Sequence, residues 1–201
     1  MLLPSKAWQR RTCTLAALLV LLFLGLTFNV IALAGENMEL FSAEGYRISQ
    51  IHSPVPDSVP NGNTLSTWQV EELLQNPSIL LIDVLPAPVK PRDRPPGLLW
   101  LTPSRENIPG SVWLPNVGFG ALSEELEQYF RSNLDKLSAH DKSRKIIIYC
   151  LADCWMSWNA AKRATSYGYS QIYWYPEGTT GWEAAGLPLE NNKPVPMEYP
   201  E

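Results

Sequence analysis

Two short runs along the chain are apolar at every position until they reach a reactive group. Ile79-Leu80-Leu81-Ile82-Asp83-Val84 closes around a carboxylate, and Ile146-Ile147-Ile148-Tyr149-Cys150 ends on a thiol. Short runs that are apolar on both parities and free of breakers predict strands covered on both faces. Gln171-Ile172-Tyr173-Trp174-Tyr175-Pro176 has the same character, and the turn at Ile108-Pro109-Gly110-Ser111 leads into a shorter strand at Val112-Trp113-Leu114-Pro115. Helical spacing fills the intervals. Residues 65–74 start on a Ser/Thr cap with acids expected early in the helix, and residues 123–137 start on Ser123 with acids in the first turn. Residues 157–167 are alanine-rich, put Lys162 and Arg163 on a predicted outer face and stop at Gly168. Strands alternating with helices predict an α/β fold, with a mostly parallel central sheet, helices on both faces and ligands at the carboxyl ends of the strands.

The remaining segments set the organisation. Residues 35–51 fit an edge strand or a loosely held arm, and both readings stand. Residues 53–63 hold three prolines, a glycine and two asparagines, which is linker and turn chemistry. Residues 85–107 form a proline-rich excursion carrying Lys90, Arg92, Arg94 and Arg105, with an apolar island at Leu98-Leu99-Trp100-Leu101. The proline-rich stretch from Gly186 onward is expected on the surface. No internal repeat is evident.

Composition changes the picture at the N-terminus. The 201 residues, 45% hydrophobic and 18% charged, suit one domain with additions. Lys6, Arg10 and Arg11 precede an apolar run over 15–34 that ends in Ala32-Leu33-Ala34, the pattern of a signal peptide. The run exceeds the usual ~7–15 residues, so an uncleaved membrane anchor is the alternative. Removing 1–34 takes away three cations and no acids, leaving 13 Lys and Arg against 20 Asp and Glu, a net charge of −7. That balance argues against a nucleic-acid partner. Cys13 leaves with the signal, so the exported chain keeps only Cys150 and Cys154, in an oxidising setting where close thiols respond to redox state.

Both cysteines fall between a predicted strand end and a predicted helix start, where backbone N–H groups converge and the helix dipole favours an anion, including a thiolate. Cys150 is read as a nucleophile and Cys154 as its resolving thiol. The plainer alternatives are a buried apolar cysteine and a structural disulfide, which a loop this short stabilises little. The binding candidates are Asp153 as helix cap or as proton acceptor for one thiol, Trp155 as a pocket aromatic, Ser157 at the helix start, Asp83 and Arg105. Asp83 either bonds the cysteine loop or simply terminates its strand. Arg105 either swings over the site to supply a cation or is solvated. Trp158 is assigned to the core. His52 and His140 are not positioned by sequence to complete a metal site, and no cofactor is expected.

The order of these pieces resembles a rhodanese-like domain. The resemblance rests on Leu81-Ile82-Asp83-Val84, Ile108-Pro109-Gly110-Ser111-Val112-Trp113-Leu114-Pro115, the run from Ile146 to Cys150, Tyr169-Ser170-Gln171-Ile172-Tyr173, Glu177-Gly178 and Gly181-Trp182. It covers 65–189, leaving 35–64 as arm and linker and 190–201 as tail. It implies that Cys150 is the persulfide-forming cysteine of that family. Cys154-Trp155 further resembles the exported PQQ-dependent catabolism-associated CXXCW motif proteins, which implies a periplasmic setting and a link to a quinoprotein system. The loop also departs from the sulfurtransferase pattern. Leu151-Ala152-Asp153-Cys154-Trp155-Met156 holds no cation and no glycine, adds an acid, and is about one residue longer than the six-residue loop of that pattern. Hydrogen bonds to charged groups are worth roughly 1.5–3 kcal/mol each, so an anionic donor such as thiosulfate is poorly served. The expectation is thiol, persulfide or disulfide exchange with a thiol or sulfur-carrying partner. The competing class is a catalytically weak module that holds a partner protein or redox cofactor.

Overall fold

Backbone amides buried between two apolar layers must bond to one another, and the shortness of the apolar runs limits each strand to a few residues. The computed structural model describes residues 40–197 apart from Arg92, Arg94 and Pro96; the predicted signal segment with Cys13 and the last four residues lie outside the described residues. In chain order the elements are β1 (Asn63–Thr64), α1 (Thr67–Leu73), β2 (Leu80–Asp83), β3 (Arg105–Asn107), β4 (Val112–Trp113), α2 (Glu124–Leu137), β5 (Ile146–Tyr149), α3 (Trp155–Ser166), β6 (Ile172–Tyr175), α4 (Gly178–Ala184) and β7 (Glu190–Asn192). Five strands form one sheet in the order β1-β6-β5-β2-β4, every pairing parallel.

The period-2 geometry of a strand divides each apolar run between two cores. Ile82, Ile146, Ile148 and Trp174 pack with Phe130 and Leu134 of α2 and with Ala160 and Ala164 of α3. Leu81, Ile147, Tyr149 and Tyr175 pack on the other face with Val70 of α1 and Trp182 of α4. The sheet is therefore covered on both sides, as predicted.

The helices follow their caps. Ser66 and Gln69 form a capping box at α1, although Glu71 and Glu72 fall beyond its first turn, where no acid lies. Ser123 accepts the Leu126 N–H at the start of α2, with Glu124, Glu125 and Glu127 in the first turn. The third helix differs from expectation, because it begins at Trp155 with Cys154 as N-cap, two residues before Ser157. Nine of its twelve residues are buried, including Arg163. The predicted outer face is covered, so Arg163 donates to the carbonyls of Val117, Phe119 and Gly120 at 3.0–3.1 Å, and Lys162 donates to those of Glu44 and Gly45.

That cover is the 117–120 turn together with the N-terminal arm. A turn closed by a Phe41–Arg47 bridge lies on α3, where the Asn159 amide accepts from the Arg47 N–H and donates to the Arg47 carbonyl, each at 2.9 Å. The arm is thus strapped to α3 by side chains around Arg47 and, in its described residues, pairs with no strand of the sheet, while its residues 51–53 bond through their backbone to the cysteine loop. The 53–63 segment ends by entering the sheet as β1. Beyond Gly186 the tail runs over the surface, yet it is ordered by pairing: β7 lies antiparallel to β3, and Val195 donates to the Trp113 carbonyl. Within the excursion Leu98, Leu99 and Leu101 are exposed.

Candidate functional site

β5 delivers Cys150 to the end of the central strand with no exposure, and Cys154 at the start of α3 is 1% exposed. The two are joined as a disulfide, with their α-carbons 6.4 Å apart. Leu151, Ala152 and Asp153 make the turn between strand and helix. Asp153 adopts φ 51°, a left-handed conformation that Asp tolerates better than most residues. Asp153 does not cap α3: it is exposed, the N-cap is Cys154, and no side chain bonds the cap position. The helix starts one residue too late for Asp153 to serve as N-cap.

Two segments close over the loop. On one side Gly178 bridges Leu151, the Thr179 N–H donates to the Cys150 carbonyl at 3.1 Å, and the Ala152 N–H donates to Thr180 Oγ1 at 3.3 Å. On the other, His52 faces Cys154 across an antiparallel bridge. There the Ser53 N–H donates to the Asp153 carbonyl at 3.0 Å, and the Trp155 N–H donates to the Ile51 carbonyl at 2.9 Å. The first amide of α3, which would favour an anion, is thereby occupied by the arm.

Trp155 lies beneath this arm rather than beside an open pocket. It is 8% exposed, its Nε1 donates to Ser53 Oγ at 3.0 Å, and its ring meets Phe41 and Trp158 edge to face with the Arg47 guanidinium 4.9 Å from its centroid. Trp158 donates to the Ser58 carbonyl within the core, as assigned. Ser157 is buried and inward-facing: it accepts from Trp174 Nε1 and donates to the Cys154 carbonyl, so it braces the loop from below.

Asp83 closes β2, but its carboxylate turns away from the cysteine loop. Its register partner Tyr149 and the neighbouring Cys150 belong to opposite cores. The carboxylate meets Arg105 at 3.1 Å, accepts from Asn107 Nδ2 at 2.7 Å and accepts the Leu85 N–H at 2.8 Å. Burial pushes its pKa up to about 7, outweighing the opposing pull of the Arg105 charge. Arg105 is neither solvated nor aimed over the thiols. It is committed to Asp83 and donates to Thr179 Oγ1 at 3.2 Å, so it stands one residue behind the amide that holds Cys150.

Sequence reasoning brought the cysteine pair together correctly and missed the segments that enclose it. Gly178 and the two threonines after it carried a usable signal, a glycine turn directly after a strand. Arg47, His52 and Ser53 carried none, because their positions depend on contacts about a hundred residues away. No group of three or more His, Cys, Asp or Glu fit to hold a metal occurs among the described residues.

No curated protein matches the chain. Similar solved structures include the polysulfide-sulfur transferase homodimer of Wolinella succinogenes, at 23% identity over 65% of this chain and 79% of that one with a TM-score of 0.41. Thiosulfate sulfurtransferase from Pseudomonas aeruginosa is similar at 18% identity over 70% of this chain and 22% of that one, TM-score 0.46. SseA of Escherichia coli, described as a 3-mercaptopyruvate sulfotransferase, is similar at 21% identity over 70% and 53%, TM-score 0.47. The sequence model of the rhodanese-like domain matches residues 66–185, which runs from the cap of α1 to the end of α4 and takes in the whole strand–loop–helix with its cysteine pair. A match over more than half the chain, on a five-stranded parallel sheet with a cysteine at the end of its central strand, means that this protein belongs to the rhodanese-like domain family.

Proposed function

We propose that this protein carries out thiol–disulfide or persulfide exchange through Cys150 and Cys154, with Cys150 as nucleophile and Cys154 as resolving thiol. The observation that carries this reading is the disulfide between them, formed across a three-residue turn at the strand end where the family resemblance puts the sulfur-bearing cysteine. The chemistry fits the environment better than thiosulfate handling does. Leu151, Ala152 and Asp153 offer no cation, and Arg105 is spent on Asp83. The Cys154-Trp155 resemblance supports a setting outside the cytoplasm in company with PQQ-dependent oxidation, and the pattern of residues 1–34 supports their role as export signal or anchor. Residues 65–189 are then the working domain.

The test is mass spectrometry of single variants under oxidising conditions and with sulfur donors. Cys154→Ser is expected to retain a trapped mixed disulfide or persulfide on Cys150, and Cys150→Ser to lose all transfer. Absence of any adduct on either thiol ends the proposal. The reduction potential of the pair separates catalysis from stapling: a value near ~−120 mV marks a strong oxidant and one below ~−300 mV a structural bridge.

A second reading has its own support in the exposed Leu98, Leu99 and Leu101, an apolar island that fits a module holding a partner protein. That reading requires the double Cys→Ser variant to keep full partner affinity, and polar residues in place of the island to abolish it.

A further inference from the structure

The arm lies along the cysteine loop in the manner of an added strand. Its three residues Ile51, His52 and Ser53 run antiparallel to Asp153, Cys154 and Trp155, with one carbonyl and one amide of the arm engaged and His52 opposite Cys154. Main-chain pairing of this kind is how extended peptides bind exposed backbone edges, with affinity from the backbone and selectivity from alternate side chains. The pair itself is shut away, since Cys150 and Cys154 have almost no exposure, so a reacting thiol needs a covering segment to move, and the two that bond to the loop are the arm and residues 178–180. Of these two covers, 178–180 belongs to the start of α4, whose Trp182 packs in the second core, whereas the arm at this point is held by two backbone bonds, the Ser53 hydroxyl and the partly buried Ile51 side chain. Its His52 side chain is exposed.

We propose that the loop edge formed by Asp153 and Trp155 is a docking site for an extended peptide or protein thiol, and that residues 51–53 are its resident occupant, standing where the substrate backbone pairs. The inference rests on the exchange reading above and names its substrate class: a cysteine within extended chain, rather than a small thiol. In the productive complex the residue after the substrate cysteine donates its N–H to the Asp153 carbonyl, and the residue before it accepts from the Trp155 N–H. The substrate thiolate attacks Cys150 Sγ, the Cys150–Cys154 bond breaks, and Cys154 departs as a thiolate that takes up the proton the substrate thiol released. A second substrate thiol then displaces Cys150. The peptide dithiol becomes a disulfide and the pair becomes two thiols, so two electrons and two protons pass between them.

The experiment runs the same encounter in reverse on the full chain carrying Cys154→Ser, whose Cys150 is free. Three probes bear the same chromogenic thionitrobenzoate leaving group: an alanine-based pentapeptide with a central cysteine, the same peptide N-methylated at the residue after the cysteine, and mercaptoethanol. With the arm released by Ser53→Pro, the plain peptide is expected to react about tenfold faster than its N-methylated twin, the worth of one backbone hydrogen bond. It should also outpace mercaptoethanol. If Ser53→Pro does not fold, Ser53→Ala, which removes only the side-chain bonds to Arg47, Trp155 and the Gln50 carbonyl, is expected to give the same ratio at lower absolute rates. Equal rates for the two peptides overturn the docking site while leaving thiol exchange intact. Failure of every probe to label Cys150 in the folded chain, with labelling after denaturation, overturns the exchange reading itself.

Discussion

The Thr179 N–H bonds to the Cys150 carbonyl at 3.1 Å, and the residue before it, Gly178, sits with φ 54° directly against that same carbonyl. A β-carbon at position 178 would collide with the Cys150 backbone, whose position is fixed by β5. Gly178→Ala therefore meets both a left-handed conformation, which costs a residue other than glycine about 1–2 kcal/mol, and a backbone clash. The expected result is a loss of about 2–4 kcal/mol in urea unfolding, the upper part coming from the clash. A loss within 0.5 kcal/mol would mean that α4 can move away from the cysteine loop.

Arg163 provides a prediction of a different kind. Its guanidinium serves three carbonyls in the 117–120 turn from a site 5% exposed. Arg163→Met keeps the stem and removes the donors, leaving three acceptors without their partner. The expected cost is about 3–5 kcal/mol by chemical denaturation. Arg163→Lys should recover only part of it, because a point charge cannot span three acceptors as a planar fork does.

The difference between what was legible and what was not follows from where each signal lives. The strands at Leu80–Asp83, Ile146–Tyr149 and Ile172–Tyr175 were legible because a doubly covered strand must be apolar at every position, and that constraint is local. The cysteine pair was legible for the same reason: it follows a strand and opens a helix. Arg163 was not, because helical spacing reports that a residue is on the far side from the sheet but not that the 117–120 turn and Tyr46 of the arm lie over it. Asp153 looked like a cap because acids are good caps, but the helix begins at Trp155 and its N-cap is Cys154. Asp83 marked a strand end correctly, while its partners Arg105 and Asn107 came from the end of an excursion whose return path nothing local specifies.

Asp83 predicts a pH dependence. Its folded pKa of about 7 lies above the ordinary carboxylate value because of burial. The folded state therefore binds a proton that the unfolded chain has already released, and this residue's contribution to stability falls as pH rises from about 4 to 7, then levels off. Asp83→Asn should flatten that part of the profile. Thermal unfolding of both proteins between pH 4.5 and 8 on the order of every half unit checks this. The difference between wild type and variant should shift in favour of the variant as pH rises, and a constant difference would show that Asp83 stays ionised throughout.

The disulfide can be judged by what its reduction costs. Cys150 and Cys154 are four residues apart, and in the chain-entropy account the stabilisation from a cross-link shrinks with the loop it closes. A loop this short is worth about 2 kcal/mol at most in that account, against about 3 kcal/mol for a 15-residue loop. The surrounding backbone has other holds besides the bond: Cys150 directly follows β5 in the middle of the sheet, the Thr179 amide holds its carbonyl, and the Trp155 amide is held by Ile51. Reduction with excess dithiothreitol is thus expected to lower the urea midpoint modestly, leave the cooperative slope unchanged and preserve the circular dichroism of the native sheet. A loss well beyond 2 kcal/mol, or a change in slope, would identify the bridge as a staple and weigh against exchange. A small loss together with reversible reoxidation is the behaviour of a pair whose chemistry, rather than its mechanical hold, is what the loop is built around.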